Sequence, residues 1–288
     1  MDALYLAILA AALTGVLFGL HDVSVRVSGL GGSSGVVLIS LIAGYPVILV
    51  LAFILGGFEL VSLKAFTLYA LAGIVNFPVG RASMYYAISS VGAGVTSVLV
   101  STSVIYNLLI GSLLGEPVGL LRVAGSLLIL LAVALLVQGE GLGRLNLTGL
   151  LFGLLAGLSM AVAITLGRLG NLESGNPIAG VLIAYTSGLL VEVVLASRGN
   201  LKMGVRALER SQITYITLAG LLAALGQVAR YVALMGVGVS IVTPLQNTRP
   251  VVATITASTL SKYTKEGFRL NTLTSSILTL IGAILVVA

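Results

Sequence analysis

Leu147-Thr148-Gly149-Leu150-Leu151-Phe152-Gly153-Leu154-Leu155-Ala156-Gly157-Leu158-Ser159-Met160-Ala161-Val162-Ala163-Ile164-Thr165-Leu166-Gly167 is an unbroken run without a charged residue. A helix rises about 1.5 Å per residue, so a run of this length crosses the roughly 30 Å of hydrocarbon in a bilayer. Its residues do not alternate apolar and polar, as the strands of a membrane barrel must. Similar runs fill the chain on both sides. They predict spans at 4–27, 35–56, 66–88, 92–115, 121–138, 147–169, 177–197, 212–235, 238–261 and 270–288. The composition agrees, with 58% hydrophobic and 8% charged residues among 288 and a mean hydropathy of +1.16. A soluble domain carries about 25% charged residues, and no soluble interior hides this much apolar surface. The fold class expected is all-α integral membrane, with ten transmembrane helices and the lipid bilayer as solvent.

Cysteine is absent, which excludes disulfides and thiolate chemistry, and tryptophan is absent, which leaves ten tyrosines for any interfacial belt. The net charge of +6 is scattered over separate loops, so no nucleic-acid partner is expected. Met1-Asp2-Ala3-Leu4 lacks a basic n-region, and the first span reads as retained rather than as a cleaved signal.

The two halves resemble each other. Leu71-Ala72-Gly73 recurs as Leu218-Ala219-Gly220, Tyr85-Tyr86-Ala87 as Tyr231-Val232-Ala233, and Gly94-Val95-Thr96 as Gly238-Val239-Ser240. Glu116 answers to Glu266. Thr14 to Leu20 and Thr148 to Leu154 share a Thr-Gly-x-Leu-Phe-Gly-Leu pattern at a different offset, which leaves the register of the first and sixth spans open. The expected domains are a first five-helix repeat at 1–138 and a second at 147–288, joined by a loop at 139–146. Five is odd, so the second copy enters from the opposite face. Such inverted repeats place a solute site at their interface near the midplane. Glycines every fourth residue (Gly149, Gly153, Gly157; Gly15, Gly19; Gly111, Gly115) are expected to pack helices within one subunit, with a dimer face as the alternative.

With these motifs the chain resembles the EamA-type members of the drug/metabolite transporter superfamily. The resemblance rests on Tyr85-Tyr86-Ala87-Ile88 running to Gly94-Val95-Thr96-Ser97-Val98-Leu99, and on Leu114-Gly115-Glu116 followed by Gly125-Ser126-Leu127-Leu128-Ile129. Gly238-Val239-Ser240-Ile241-Val242-Thr243-Pro244 and Arg249-Pro250 extend it into the second copy. It implies ten helices and a central cavity lined by spans 1, 3, 4, 6, 8 and 9. It also implies a substrate range from amino acids to sugar phosphates, nucleotide sugars and drugs. Two departures stand out: Lys265-Glu266 replaces the usual Gly-Glu, and His21-Asp22 charges a first span that is often less charged.

Ionisable residues inside spans are costly and face a cavity or a partner. Arg249 lies at the centre of the ninth expected span beside Gln246 and Asn247, and Pro250 is expected to loosen that helix. Arg81 lies below Asn76 and Pro78, and Arg230 beside Gln227. Arg249, Gln246, Asn247, Arg81, Arg230 and Gln227, with Tyr85, Tyr106 and Asn107, form the expected substrate-binding set. If two of the arginines face the cavity, bidentate contacts would favour a carboxylate or phosphate. His21 and Asp22 are the candidates for proton coupling, because imidazole titrates near neutrality. Asp22 could pair with Arg26 at i, i+4 or neutralise Arg81. Glu192 reads as structural or interfacial.

No Walker loop, HExxH, paired-Asp motif or Ser/His/acid set is present, so neither cofactor nor metal is expected and the chain does not read as an enzyme. The expectation is a secondary active transporter or exchanger of a small metabolite, an amino acid or anionic organic solute, working by alternating access in the plasma (cytoplasmic) membrane as monomer or homodimer. The alternatives are a membrane-embedded enzyme on lipid-linked substrates and a non-transporting scaffold. Arg144, Arg198, Lys202, Arg206, Arg210, Lys262, Lys265 and Arg269 load one side, and Arg26 ends a span there. Lys64, Arg122 and Arg168 load the other. The positive-inside rule then places both termini outside, whereas the resemblance favours both inside.

Overall fold

A computed structural model of the chain describes residues 3–113, 119–140, 146–198 and 208–287. Gly115, Glu116, Arg144, Lys202 and Arg206 lie outside the described residues, as do most of the 139–146 connection and of the loop after Arg198. Every regular element among the described residues is helical. In chain order these are α1 (Ala3–Ser28), α2 (Ser34–Ile54), α3 (Leu63–Ile74), a π-helical turn (Val75–Arg81), α4 (Ala82–Val91), α5 (Ala93–Val100), α6 (Ser103–Leu113), α7 (Leu120–Glu140), α8 (Leu147–Ser174), α9 (Pro177–Arg198), α10 (Arg210–Gly236), α11 (Val239–Leu245), α12 (Thr248–Thr259), the single turn α13 (Ser261–Thr264), and α14 (Leu270–Val287).

Seven helical segments have the length and hydropathy of a membrane span, counting α3 to α4 as one and α5 to α6 as another, and Leu120–Leu136 and Leu270–Val286 are shorter apolar helices. The expected ninth span is instead two helices, broken at Gln246-Asn247. Pro250 accounts for the place of the break. A helix continuing through it would need the Pro250 N–H to reach the Gln246 carbonyl four residues earlier, and proline has none. Pro250 does not loosen α12. It sits in the first turn, where a missing N–H costs nothing. The Gln246 carbonyl is taken by the Arg249 N–H at 3.0 Å. The fourth span breaks at the corresponding place, Ser101-Thr102, without proline. There the hydroxyls of Ser101 and Thr102 bond back to Ser97 and Leu99 at 3.0 and 2.7 Å, and the chain tightens around them. The third span bends through its π-helical turn around Pro78, which cannot donate to Ile74.

Contacts between helices repeat across the two halves. α1 packs on α10 as α8 packs on α3 and α4, α2 meets α10 as α9 meets α3, and α7 pairs with α14. Close backbone approaches fix the register. A Cβ on Gly15 of α1 would strike the Gln246 carbonyl and the Thr248 hydroxyl at one break, and a Cβ on Gly157 of α8 would strike Thr102 at the other. Arg26 near the end of α1 donates to the Ile88 and Ser89 carbonyls at 3.1 and 3.0 Å, and Arg168 near the end of α8 donates to the Leu234 carbonyl. Gly15 therefore corresponds to Gly157 and Arg26 to Arg168. The shared pattern of Thr14 to Leu20 and Thr148 to Leu154 is a false register, displaced by about two helical turns, so that small residues still fall on the same face. The Gly149, Gly153 and Gly157 stripe meets Ser90, Leu99 and Thr102 of the first half, which is packing inside one subunit.

Candidate functional site

The polar centre of the bundle starts on α1. Asp22 is fully buried and receives Arg249 of α12 through two bonds, Nε to Oδ2 at 2.7 Å and Nη2 to Oδ1 at 2.8 Å. The break before α12 delivers that guanidinium, because Arg249 sits in the first turn of the helix that restarts there. Ser97 of α5 donates to Oδ2 at 2.6 Å, and His21 Nδ1 lies 2.9 Å from Oδ1. A carboxylate offers about four lone-pair sites, so Asp22 is saturated. Because an ionised Asp22 only accepts, His21 holds a proton on Nδ1 and turns Nε2 to the Tyr85 hydroxyl at 3.1 Å. Tyr85 also reaches Ser40 Oγ at 3.0 Å, and Arg81 Nη1 donates to that same oxygen at 3.3 Å. One hydroxyl proton on Tyr85 thus has two acceptors within reach.

Beyond this network lie two small adjoining gaps of about 20 and 10 Å³ that share Asn76 and Arg230, space for a water or two. Arg81 and Arg249 reach the larger gap, and Gln227 lines the smaller. Arg81 stacks on Phe77, its guanidinium carbon 4.6 Å from the ring centroid, and Arg230 stacks on Phe18 at the same distance. Arg230 differs from the other two in having no acidic or oxygen partner. Its Nε is buried without a bond, and its Nη2 has only the Met160 sulfur at 3.7 Å.

Of the residues expected to bind solute, Arg81, Gln227, Arg230 and Arg249 therefore surround the gaps. Tyr85 stands one layer behind, bonded to His21 and Ser40. Gln246 and Asn247 form the helix break, each with an amide nitrogen that has no partner. Asn107 lies elsewhere: it donates to Thr243 at 2.8 Å and accepts from Thr165 at 3.3 Å, tying α6 to α11 and α8. Tyr106, half-buried on α6, does not reach the gaps. No residue of α6, the half of the fourth span after the break at Ser101-Thr102, lines either gap. Asp22 pairs with neither Arg26 nor Arg81. Glu192, read as structural or interfacial, is fully buried on α9. Asn76, Phe18 and Met160 were not singled out as site residues, and their only signal was a place in a span beside or facing an arginine.

The family model of the EamA-like transporter family matches the sequence twice, over residues 3–138 and 147–288. The chain belongs to the EamA-like transporter family. It is accordingly an integral membrane protein of transporter type with two repeats. No curated protein matches it. One solved crystal structure superposes with a TM-score of 0.72, covering 97% of this chain and 96% of its own at 14% sequence identity, a likeness of fold alone.

In this EamA-like transporter Lys265 and Glu266 line a polar vestibule of about 550 Å³. Glu266 caps the start of α5, accepting from the Ala93 N–H at 2.7 Å, and pairs with Arg26 at 3.0 Å. Burial pushes the Glu266 carboxyl above its ordinary range, while the Ala93 N–H and Arg26 pull it back. Lys265 has φ +59°, the only non-glycine residue in the left-handed region among those described. Lysine there occupies a conformation that suits glycine.

Proposed function

We propose that this EamA-like transporter is a secondary carrier of small organic solutes. Its ten crossings form two inverted five-helix repeats, 1–138 and 147–288, that rock about the gaps beside Arg230. One observation carries the reading: the larger gap is walled by both repeats, with Phe18, Asn76 and Arg81 from the first and Met160, Arg230 and Arg249 from the second. A site held between two bodies can face either side as they tilt, which is the mechanical need of alternating access. The small size of the gaps fits an occluded state. The helix breaks at Ser101-Thr102 and Gln246-Asn247 give each repeat a joint. We place the carrier in the plasma (cytoplasmic) membrane.

His21 and Asp22 are the proposed proton-coupling pair. His21 joins the saturated Asp22 to the branched Tyr85 hydroxyl, so a proton gained at Nε2 would turn the Tyr85 hydroxyl toward Ser40. The test is counterflow in proteoliposomes with a pooled panel of labelled amino acids, sugar phosphates and nucleotide sugars, at matched pH and with an imposed pH gradient. Saturable counterflow is expected, with accumulation that follows the gradient in the wild type and not in His21→Gln. Failure of every solute to exchange with protein shown to be folded would overturn the carrier, and gradient-driven accumulation that persists in His21→Gln would remove the coupling role.

A further inference from the structure

Among the described residues the buried interior holds three guanidinium groups, Arg81, Arg230 and Arg249, and two carboxylates, Asp22 and Glu192. Asp22 is spent on Arg249 through two short bonds. Arg81 donates to Ser40 Oγ at 3.3 Å and lies over the Phe77 ring, and Glu192 supplies the second buried carboxylate from α9. Arg230 is left over: 2% exposed, without an oxygen partner, its Nε unbonded. It also shares a neighbourhood with a like charge, for Arg249 faces the same Phe18 ring at 5.5 Å and the same Met160 sulfur at 3.9 Å. A buried charge of this kind is costly unless a counter-charge meets it. The spare hydrogen-bonding groups converge at the same place: the Gln227 side-chain oxygen, one turn earlier on α10, has no partner, and Asn76 borders both gaps.

We infer that Arg230 seats the solute, and that the solute carries one compact anionic group, a carboxylate, on a small apolar body. This deepens the carrier reading above and rests on it. One uncompensated positive charge is balanced by one negative charge, whereas a phosphate monoester dianion would leave an excess charge buried. The guanidinium fork matches a carboxylate in two parallel bonds. The other side chains around the larger gap are Phe18, Met84, Ala156 and Met160, all apolar, and the unbranched methionines can re-pack to admit an apolar body into a gap that is small in this conformation. Arg249, the more conspicuous residue in the sequence, is by contrast internally neutralised and positions Asp22.

The experiment uses the full chain in nanodiscs and reads thermal unfolding against acetate, butyrate and benzoate, their neutral amides, and phenyl phosphate. The expected result is saturable stabilisation by one or more carboxylates and none by the matching amide. Arg230→Gln should weaken that response at least tenfold and Arg230→Lys by less. Arg230→Gln should also unfold no lower than wild type without solute, since it removes an unpaired charge, so a lost response is separable from a lost fold. Amides acting as well as acids, phenyl phosphate acting tenfold better than every carboxylate, no response to any carboxylate, or a response that survives Arg230→Gln would overturn the inference. Counterflow of the same compounds separates it from the carrier reading. An Arg230-dependent carboxylate response without saturable flux would leave the anion site standing and overturn the carrier. Saturable flux of neutral solutes, indifferent to Arg230, would do the reverse.

Discussion

The two broken spans have the same backbone and different chemistry. In the first repeat the chain interrupts its helix at Ser101-Thr102 with hydroxyls bonded back to their own carbonyls, and a glycine of α8 presses against the break. In the second it interrupts at Gln246-Asn247, where Pro250 offers no N–H to the Gln246 carbonyl and a glycine of α1 presses against the break as well. Only the second break launches a charge, Arg249, into the interior. Duplication kept the joint and let the residues beside it diverge, so the mechanical part of the design is symmetric and the electrostatic part is not.

Six substitutions sharpen or break this comparison. Arg249→Leu should have the largest effect, a loss of about 3–5 kcal/mol, because it strands Asp22 as a buried charge. Ser101→Ala at the other break should cost only about 1 kcal/mol, the worth of one ordinary hydrogen bond. Detergent-unfolding titrations read both, and equal losses would end the claim of electrostatic asymmetry. Gly15→Ala should cost about 1–3 kcal/mol as an overpacking defect, since its new methyl meets a backbone carbonyl. Gly157→Ala should cost less, because the nearest obstacle is the Thr102 hydroxyl, which can rotate away. Identical thermal midpoints for the two variants would mean that the joints are equally rigid. Lys265→Gly should stabilise by about 1 kcal/mol through relief of its left-handed backbone, restoring the residue that the first repeat has at 115. An unchanged unfolding midpoint would show that the vestibule loop relaxes at no cost. Pro250→Ala should have the smallest effect, a loss of about 0.5 kcal/mol through the unfolded chain. A gain in helix content by circular dichroism would show that proline alone holds the second break open.

The spans were legible because an apolar run with no charge has one solvent that suits it. The breaks were less so. Pro250 was visible, but its effect falls four residues upstream at Gln246, whose carbonyl turns to the Arg249 N–H instead, and Ser101-Thr102 contains neither proline nor glycine to mark it. The pairing of Asp22 escaped a reading by spacing. Arg26 stands one turn away on the same helix, yet it is occupied by Glu266 and the Ile88 and Ser89 carbonyls, while the true partner is distant in sequence. Asn107 and Tyr106 share a span with α5 but stand on α6 past the break, and neither lines the two gaps. Arg230 was recognised as a candidate below Arg249. Which of two buried arginines lacks a counter-charge is a property of the assembled helices and leaves no local trace.

The unpaired guanidinium of α10 has an electrical meaning as well. Carrying one elementary charge through the whole transmembrane field is worth about 2.3 kcal/mol per 100 mV. A carrier whose empty site bears such a charge feels the membrane potential most when it is empty. On the proposed mechanism, seating a monovalent anion beside Arg230 would cancel that force, so the loaded protein would turn over electrically silent and the voltage would act on the return of the vacant one.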